Sequence, residues 1–260
     1  MPKKNLVIRN TAKKLGRNIL MTPKTTPLKA LSCGRIILNQ KKKTVAAQAK
    51  GREVSLICIS GQGMVTVDGQ RYPMGRYDAL YIPPGSSYEI TTESEVDLAE
   101  ASAPTKRPGK VQLIRFEELR NDPSLYVKAG KPTYNRAVIK MIDVNVPADR
   151  LLCGITCGDP GNWTSWSPHE HAASKEEVYL YIDMPKPAFG IQIMYDDIKK
   201  PYLLEQVFEN DAVVITKGYH PNVGVPGYGI NFVWMMAALR PQTDRDWNLM
   251  HWQEEFAGRY

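Results

Sequence analysis

The sequence predicts an all-β protein that folds into two jelly-roll-like β-barrels, with few short helices. Short strand-like runs, separated by glycine and proline turns, follow one another along most of the chain. The Asp68-Gly69 pair is typical of a two-residue hairpin turn. A weak internal repeat aligns Asp78-Ala79 with Asp211-Ala212, and Gly85 with Gly218. Such a repeat indicates two copies of one β unit.

The order of these runs divides the chain into five segments. Strands are expected at 54–59, 64–67, 79–82, 88–91 and 96–99, and then at 136–144, 151–156, 178–182, 189–195, 202–208, 212–216 and 230–236. A stretch rich in proline and basic residues lies between the two groups, followed by a short helix at 116–120 that Pro123 would end. We therefore expect an N-terminal arm at 1–32, a barrel at 33–105, a linker at 106–135, a second barrel at 136–240, and a tail at 241–260 that forms a short helix packed on the barrel.

Composition and charge narrow the class of protein. The 260-residue chain is 43% hydrophobic, enough for an ordinary core, and no apolar run is long enough for a membrane span or a signal peptide. We expect a soluble cytoplasmic protein with four free cysteine thiols. The formal charge of +7 is mostly dispersed, and its basic clusters lack the interleaved aromatic residues of a nucleic-acid surface. We therefore expect no nucleic-acid or membrane partner, and a small carboxylate is the better fit.

Three of the four histidines, with one glutamate, form a candidate metal site in the second half. His169 and His171 are two residues apart, so on a strand they project to the same face. Glu177 begins the next predicted strand, and His220 follows a strand end. Three imidazoles and a carboxylate suit one divalent transition metal, such as Zn, Mn, Fe, Co or Ni, and leave positions open for substrate. The first half contains no histidine, so its barrel is predicted to be metal-free.

Several assignments stay open at the level of sequence. Glu176 competes with Glu177 as the metal ligand, because only one of two adjacent strand residues faces inward; Glu177 is favoured because Tyr179 is in phase with it. The alternative is that these residues lie in a surface loop. Other candidates for contacting a polyol acid are Tyr179, Tyr181, Gln192 and Tyr195 as hydrogen-bonding groups, Trp163, Trp166 and Trp234 as an aromatic wall, and Lys175 and Lys217 as carboxylate partners. For each of these side chains, packing or solvation is the competing interpretation.

Four segments of the second half carry a family resemblance: "GNWTSWSPHEH" (161–171), "EEVYLYI" (176–182), "GIQIMYDD" (190–197) and "NDAVVITKGYHPNVGVPGYGINFVWMMA" (210–237). Together they resemble the 5-deoxy-glucuronate isomerase family of myo-inositol catabolism, which shares a bicupin superfamily with 5-keto-4-deoxyuronate isomerase. The first half is similar to the metal-free N-terminal cupin of that family. The resemblance implies two cupin barrels in one chain and metal ligands at His169, His171, Glu177 and His220.

The resemblance also implies an activity, the metal-dependent aldose–ketose isomerisation of 5-deoxy-glucuronate to 5-dehydro-2-deoxy-gluconate. The base that moves the proton is left open among Glu177, Glu176, Tyr179 and metal-bound hydroxide. The alternatives are 5-keto-4-deoxyuronate isomerisation in pectin breakdown, an oxygen-using metal cupin, and a sugar-binding bicupin without turnover. Because exposed barrel edges often pair, we also expect a homo-oligomer, most simply a dimer.

Overall fold

The computed structural model describes residues 5–171 and 173–256, and within them the chain is almost entirely β-strand. The strands of the first half are β1 (Val7–Ile8), β2 (Gly16–Met21), β3 (Ser32–Leu38), β4 (Thr44–Gln48), β5 (Arg52–Gly61), β6 (Gly63–Val67), β7 (Gln70–Met74), β8 (Ala79–Ile82), β9 (Ser87–Thr91), β10 (Val96–Pro104) and β11 (Gln112–Ile114). Helix α1 (Phe116–Leu119) follows at the predicted position. The later elements are β12 (Tyr126–Ala129), β13 (Arg136–Ile142), β14 (Leu151–Gly158), β15 (Trp163–Thr164), β16 (His169–Glu170), β17 (Lys175–Tyr181), β18 (Gly190–Met194), β19 (Leu203–Val207), β20 (Ala212–Ile215), β21 (Asn222–Gly224), β22 (Asn231–Ala238), β23 (His251–Trp252) and a 3₁₀ turn (Glu254–Phe256).

The first barrel is formed by a six-stranded sheet, ordered β11-β8-β5-β10-β3-β2, that faces a four-stranded sheet, ordered β4-β9-β6-β7. Its strands alternate between core and solvent, as in β9, where Tyr88 and Ile90 are buried between exposed neighbours. Strands β6 and β7 are joined by Asp68-Gly69, and both residues have positive φ, as a type I′ hairpin turn requires. The predicted hairpin is therefore confirmed.

The second barrel repeats this plan with a seven-stranded sheet, ordered β1-β20-β17-β22-β14-β13-β12, facing a four-stranded sheet, ordered β15-β21-β18-β19. Its interior is rich in aromatic side chains, including Tyr179, Tyr181, Phe232 and Trp234. The prediction of an all-β chain with two cupin barrels is confirmed.

A third apolar core joins the barrels back to back. It contains Ile57 and Ala99 from the large sheet of the first barrel, and Cys153, Val178 and Met235 from the large sheet of the second. Both faces of these sheets are buried, which explains why β5 and β17 have long unbroken runs of buried residues rather than buried residues at alternate positions.

The connecting segments are more structured than the sequence predicts. The range 106–135, predicted as a linker, contains β11, α1 and β12, and these two strands extend the large sheets of the first and second barrels respectively. The predicted arm also enters the fold, because β1 pairs with β20 and β2 pairs with β3. These runs are too short for a readable hydrophobic period, and their pairing depends on the free edges that the barrels offer.

The tail packs on the second barrel as predicted, but through strand β23 and a 3₁₀ turn rather than a helix. Residues 1–4 of the predicted arm and 257–260 of the tail lie outside the described residues. All four cysteines are free thiols, as predicted. Among the residues that the structure describes, no helix has the length and apolar character needed to cross a membrane.

Candidate metal centre

Three histidines and one glutamate meet inside the second barrel. Strand β17 directs Glu177 inward, His169 lies on β16 and is held there by pairing with Trp252 of β23, and His220 follows β20. One ring nitrogen from each of His169, His171 and His220 lies within 4.8 Å of those of the other two. An Oε2 atom of Glu177 lies 3.3 Å from Nε2 of both His171 and His220. The four side chains that the sequence singled out are therefore brought together.

The donor atoms at this centre are buried and unsatisfied. Glu177 Oε2 and the Nε2 atoms of His171 and His220 are shielded from water, and none has a hydrogen-bond partner among the described residues. Leaving such atoms unpaired costs free energy, so the cluster is the kind of site that an ion completes. His169 and His220 each place Nδ1 next to a backbone carbonyl, of Ser167 at 3.2 Å and of Gly218 at 3.0 Å. A proton held at Nδ1 leaves Nε2 free as a metal ligand, so these residues fit a divalent metal ion.

The electrostatics of the cluster favour the protonation states that metal ligands need. Burial, together with the neighbouring His220 and His171, lowers the pKa of His169 well below its usual value. Burial also lowers the pKa of His171, against the attraction of Glu177. Burial by itself would raise the pKa of Glu177, but the two imidazoles beside it outweigh that effect and lower the pKa to about 2. His169 and His171 are therefore neutral imidazoles and Glu177 is an ionised carboxylate at neutral pH, the states that a metal ligand needs.

A cavity of about 200 Å³ opens beside the centre. His169 and Glu177 lie in its wall, together with Tyr179, whose hydroxyl is 2.8 Å from Ser165 Oγ. The remainder of the lining is largely apolar and aromatic and includes Val138, Phe232, Trp234, Met236, Trp247, Met250 and Trp252. A cavity with an apolar wall and a few convergent polar groups is typical of a small-molecule site.

Glu176 serves a different purpose from Glu177. Its carboxylate accepts hydrogen bonds from the backbone N–H groups of Lys29, Ala30 and Leu31, at 2.7, 2.7 and 2.5 Å. The side chain points to the interface between the barrels because adjacent strand residues face opposite sides of the sheet. Glu176 is therefore removed from the candidates for ligand and for base, and the alternative of a surface loop is removed with it.

Three of the predicted substrate-contacting residues, Tyr181, Gln192 and Tyr195, make hydrogen bonds within the protein. Tyr181 donates to Gln192 Oε1 at 2.6 Å, and Gln192 Nε2 in turn donates to the carbonyl of His220 at 2.9 Å. Neither side chain lines the cavity, and both fix the backbone that carries His220. Tyr195 donates to Gln253 Oε1 at 2.6 Å and so ties the tail to the barrel.

The predicted aromatic and basic partners are also placed differently. Trp163 packs against Trp166 outside the cavity, with ring centroids 5.1 Å apart, whereas Trp234 lines it. Lys217 is exposed, pairs with Asp196 and does not line the cavity, so its contact with a substrate stays a prediction. Lys175 is buried, and its ammonium group donates to the carbonyl oxygens of Asp246 and Leu249 in the tail.

Sequence reasoning missed part of the cavity wall. Ser165 lies within the segment 161–171 but was not singled out there as a site residue, and Trp247, Met250 and Trp252 come from the tail. Arg136 and Lys140 also line the cavity, and here a signal was available. They stand at alternate positions of the predicted strand 136–144, with Val138 between them on the same face.

Two barrels and a buried centre of three histidines and a carboxylate define a bicupin with a candidate metal site. Comparisons with known proteins place it more narrowly. The model of the KduI/IolB family matches residues 6–256, and the chain belongs to that family. The 5-deoxy-glucuronate isomerase of Lacticaseibacillus casei is 30% identical over 204 residues, which are 71% of this chain and 73% of that protein.

A second group of relatives carries a different name. The 4-deoxy-L-threo-5-hexosulose-uronate ketol-isomerase of Cereibacter sphaeroides (strain ATCC 17025) is 28% identical over 207 residues, covering 78% of this chain and 72% of that protein. Among solved structures, an IolB-like protein from Salmonella typhimurium has a TM-score of 0.85 at 23% identity, covering 97% of this chain and 98% of that one. The likeness in structure supports the fold.

Proposed function

We propose that this protein is a metal-dependent aldose–ketose isomerase that converts 5-deoxy-glucuronate to 5-dehydro-2-deoxy-gluconate, as in myo-inositol catabolism. The observation that carries the proposal is the set of unsatisfied, buried donor atoms of His171, Glu177 and His220 beside a cavity of small-molecule size. The family, and the similarity to 5-deoxy-glucuronate isomerases, support the substrate.

The ligands that would hold the metal are His169, His171, Glu177 and His220. When bound, a divalent metal ion such as Zn, Mn or Fe would supply Lewis-acid polarisation of the sugar carbonyl. The side chains of the cavity wall orient the open-chain sugar and exclude water from it. In the cavity the Trp252 ring lies 5.2 Å from that of His169, so the tail covers the outer side of the centre.

The isomerisation moves protons at the oxygens as well as at the carbons of the sugar, so it needs a positioned proton donor beside the carbonyl and hydroxyl groups. Tyr179 is next to Glu177 on the inner face of β17, and its hydroxyl shares a hydrogen bond with Ser165. Of the candidates that the sequence left open, Tyr179 is the one that reaches the cavity without serving as a ligand. Burial raises the pKa of the Tyr179 hydroxyl well above its usual value, so the hydroxyl is protonated at neutral pH. We assign to Tyr179 the donation of a proton to a sugar oxygen and its recovery in the second half of the reaction, and to Ser165 the positioning of that hydroxyl.

The test is an NMR time course of the purified protein with 5-deoxy-glucuronate, with and without a chelator. We expect conversion to the ketose that stops with the chelator and returns when Zn, Mn or Fe is added back. Conversion that a chelator does not affect, in protein shown to be metal-free, would contradict the metal mechanism. Binding without conversion would favour a sugar-binding bicupin.

The second candidate is the isomerisation of 4-deoxy-L-threo-5-hexosulose-uronate. It is favoured by one observation, the similar identity of relatives with that name, 28% against 30%. Both substrates offered at equal concentration in one reaction would separate the two, because the ratio of the rates gives the ratio of kcat/KM values directly. We expect 5-deoxy-glucuronate to be consumed first.

A further inference from the structure

A basic wall lies across the cavity from the candidate metal centre. Arg136 and Lys140 project from the same face of β13 and both line the cavity. In the large sheet, β13 is separated from β17, the strand of Glu177, by β22 and β14. The two basic groups and the metal ligands therefore start from different sides of the barrel interior.

The floor between the two sides is aromatic. Trp234 of β22 is paired with Tyr179 on one side and with Gly154 on the other, and Gly154 is paired with Lys140. A Cβ atom at Gly154 would lie 2.3 Å from the Trp234 indole, so the indole occupies the space above the glycine. A ligand that spans this floor has one end at Tyr179 and the other at the basic wall.

The positive charge of Arg136 is not neutralised within the protein. Its guanidinium donates to the carbonyl oxygens of Tyr134 and Trp166, which are neutral groups. Among the described residues, no carboxylate forms an ion pair with it, and burial lowers the pKa of this partly buried side chain. The Lys140 ammonium has one long contact with a carboxylate, that of Asp143 at 3.7 Å, and lies 5.0 Å from the centroid of the Trp247 ring in the cavity wall. Two such charges beside a cationic metal are unfavourable unless an anion joins them.

We propose that Arg136 and Lys140 form an anion subsite that binds the carboxylate of the sugar acid and directs its carbonyl end to the metal centre. The inference rests on the proposed function, because it takes the ligand of this cavity to be a sugar acid. Arginine suits this role because its planar guanidinium group can donate two parallel hydrogen bonds to a carboxylate. The subsite selects an acid over the neutral sugar of the same length.

Binding to the metal-loaded protein tests the subsite without turnover. The probes are D-gluconate and D-sorbitol, which share a polyol chain but differ by one carboxylate, measured by titration calorimetry. We expect Arg136→Gln and Lys140→Gln each to weaken gluconate binding by about 10- to 100-fold, the loss typical of a hydrogen bond to a charged group. Sorbitol binding should not change. Lys128→Gln removes an exposed charge on β12, the strand that pairs with β13, and should leave both affinities as they are.

Two further measurements separate an anion subsite from a structural role. The Lys140 side chain, unlike that of Arg136, donates no hydrogen bond to a backbone carbonyl among the described residues, so Lys140→Gln tests the subsite even if Arg136→Gln disturbs the loop of Trp166. Metal content and melting temperature are measured for every variant, and Arg136→Lys should restore part of the gluconate affinity. Unchanged gluconate affinity in both glutamine variants, with metal retained, overturns the proposal.

The outcomes also distinguish this inference from the proposed function. If the variants turn over 5-deoxy-glucuronate in a chelator-sensitive reaction with an unchanged KM, the isomerase function is supported and the anion subsite is contradicted. If gluconate affinity depends on Arg136 and Lys140 but the protein converts no uronate, the anion subsite is supported and the isomerase function is contradicted. If both hold, kcat/KM for 5-deoxy-glucuronate should fall by about 10- to 100-fold, mainly through KM.

Discussion

Neighbouring residues of β17 have separate tasks because a strand alternates its faces. Glu177 and Tyr179 point into the second barrel, toward the histidines and the cavity, whereas Glu176 points to the other barrel. Both carboxylates are buried, at 1% and 2% exposure, so burial does not tell them apart. Their partners do, since Glu176 is fully hydrogen-bonded and Glu177 has an unsatisfied oxygen.

Glu177→Gln should remove the metal while keeping the fold. The amide has the same shape but lacks the negative charge that offsets the cation. We expect a loss of metal affinity that exceeds the roughly 10- to 100-fold typical of residues that only support a ligand. The metal content, measured by mass spectrometry, and the turnover rate should fall together. Full metal occupancy in the variant would show that Glu177 is not a ligand.

Tyr179→Phe should lower kcat by about 10²- to 10⁴-fold, the usual contribution of a positioned acid–base group. Metal content should stay the same, because the hydroxyl is not a ligand. Tyr181→Phe is the matched control on the same strand. Its hydroxyl bonds to Gln192 outside the cavity, so we expect a stability loss of about 1 kcal/mol and little change in kcat. Equal kcat losses in the two variants would argue against a chemical role for Tyr179.

At the scale of elements, the internal repeat explains why only one barrel carries the centre. The aligned strands β8 and β20 pair with β5 and β17, so Ile82 is opposite Val54 where Ile215 is opposite Glu177. Leu56 likewise occupies the position of Tyr179. The first barrel therefore has buried aliphatic side chains at the two positions where the second barrel has Glu177 and Tyr179.

The tail is a second element with a consequence for the site. Lys175 holds the carbonyl oxygens of Asp246 and Leu249, and the next residues provide Met250 and Trp252 to the cavity. Lys175→Met should release this segment, because methionine fills the space but donates no hydrogen bond. We expect faster amide exchange at 246–256 and a several-fold higher KM, with β22 as protected as before. Unchanged exchange in the segment would show that other contacts hold it.

At the scale of the molecule, each barrel contributes a buried carboxylate to the other. Glu176 accepts from the backbone at 29–31, just before β3, and Glu53 accepts from the backbone of residues 149–151, where β14 begins. Because β3 and β14 are equivalent in the repeat, the exchange has an approximate two-fold symmetry. It makes the stability of one barrel depend on the other.

Glu176→Ala should therefore destabilise the whole chain. The substitution leaves three N–H groups without an acceptor, two of them buried, and we expect a loss of about 2–4 kcal/mol in the free energy of unfolding. Urea denaturation followed by tryptophan fluorescence and by circular dichroism measures it, and the two transitions should stay coincident. Glu53→Ala is the control from the other barrel and should give a similar loss. Separate transitions would show that the barrels unfold independently.

The expected dimer stays a prediction. Light scattering after size exclusion should give twice the 29.3 kDa of the chain. The reason is that edge strands such as β19 carry exposed apolar side chains, including Leu204 at 62% exposure. A monomeric mass at micromolar concentration would contradict it.

The class of fold, the hairpin at Asp68-Gly69, the internal repeat and the four residues of the candidate metal centre could be predicted from the amino-acid sequence alone. These features are local, since period, turn chemistry and spacing express them within a few residues. The folded structure was needed to show which of Glu176 and Glu177 faces the cavity and that Tyr181 and Gln192 support His220. It was also needed to show that the tail and Arg136 complete the cavity wall. Those decisions depend on contacts between residues far apart in the chain, and no local pattern records which strand edges and faces will meet.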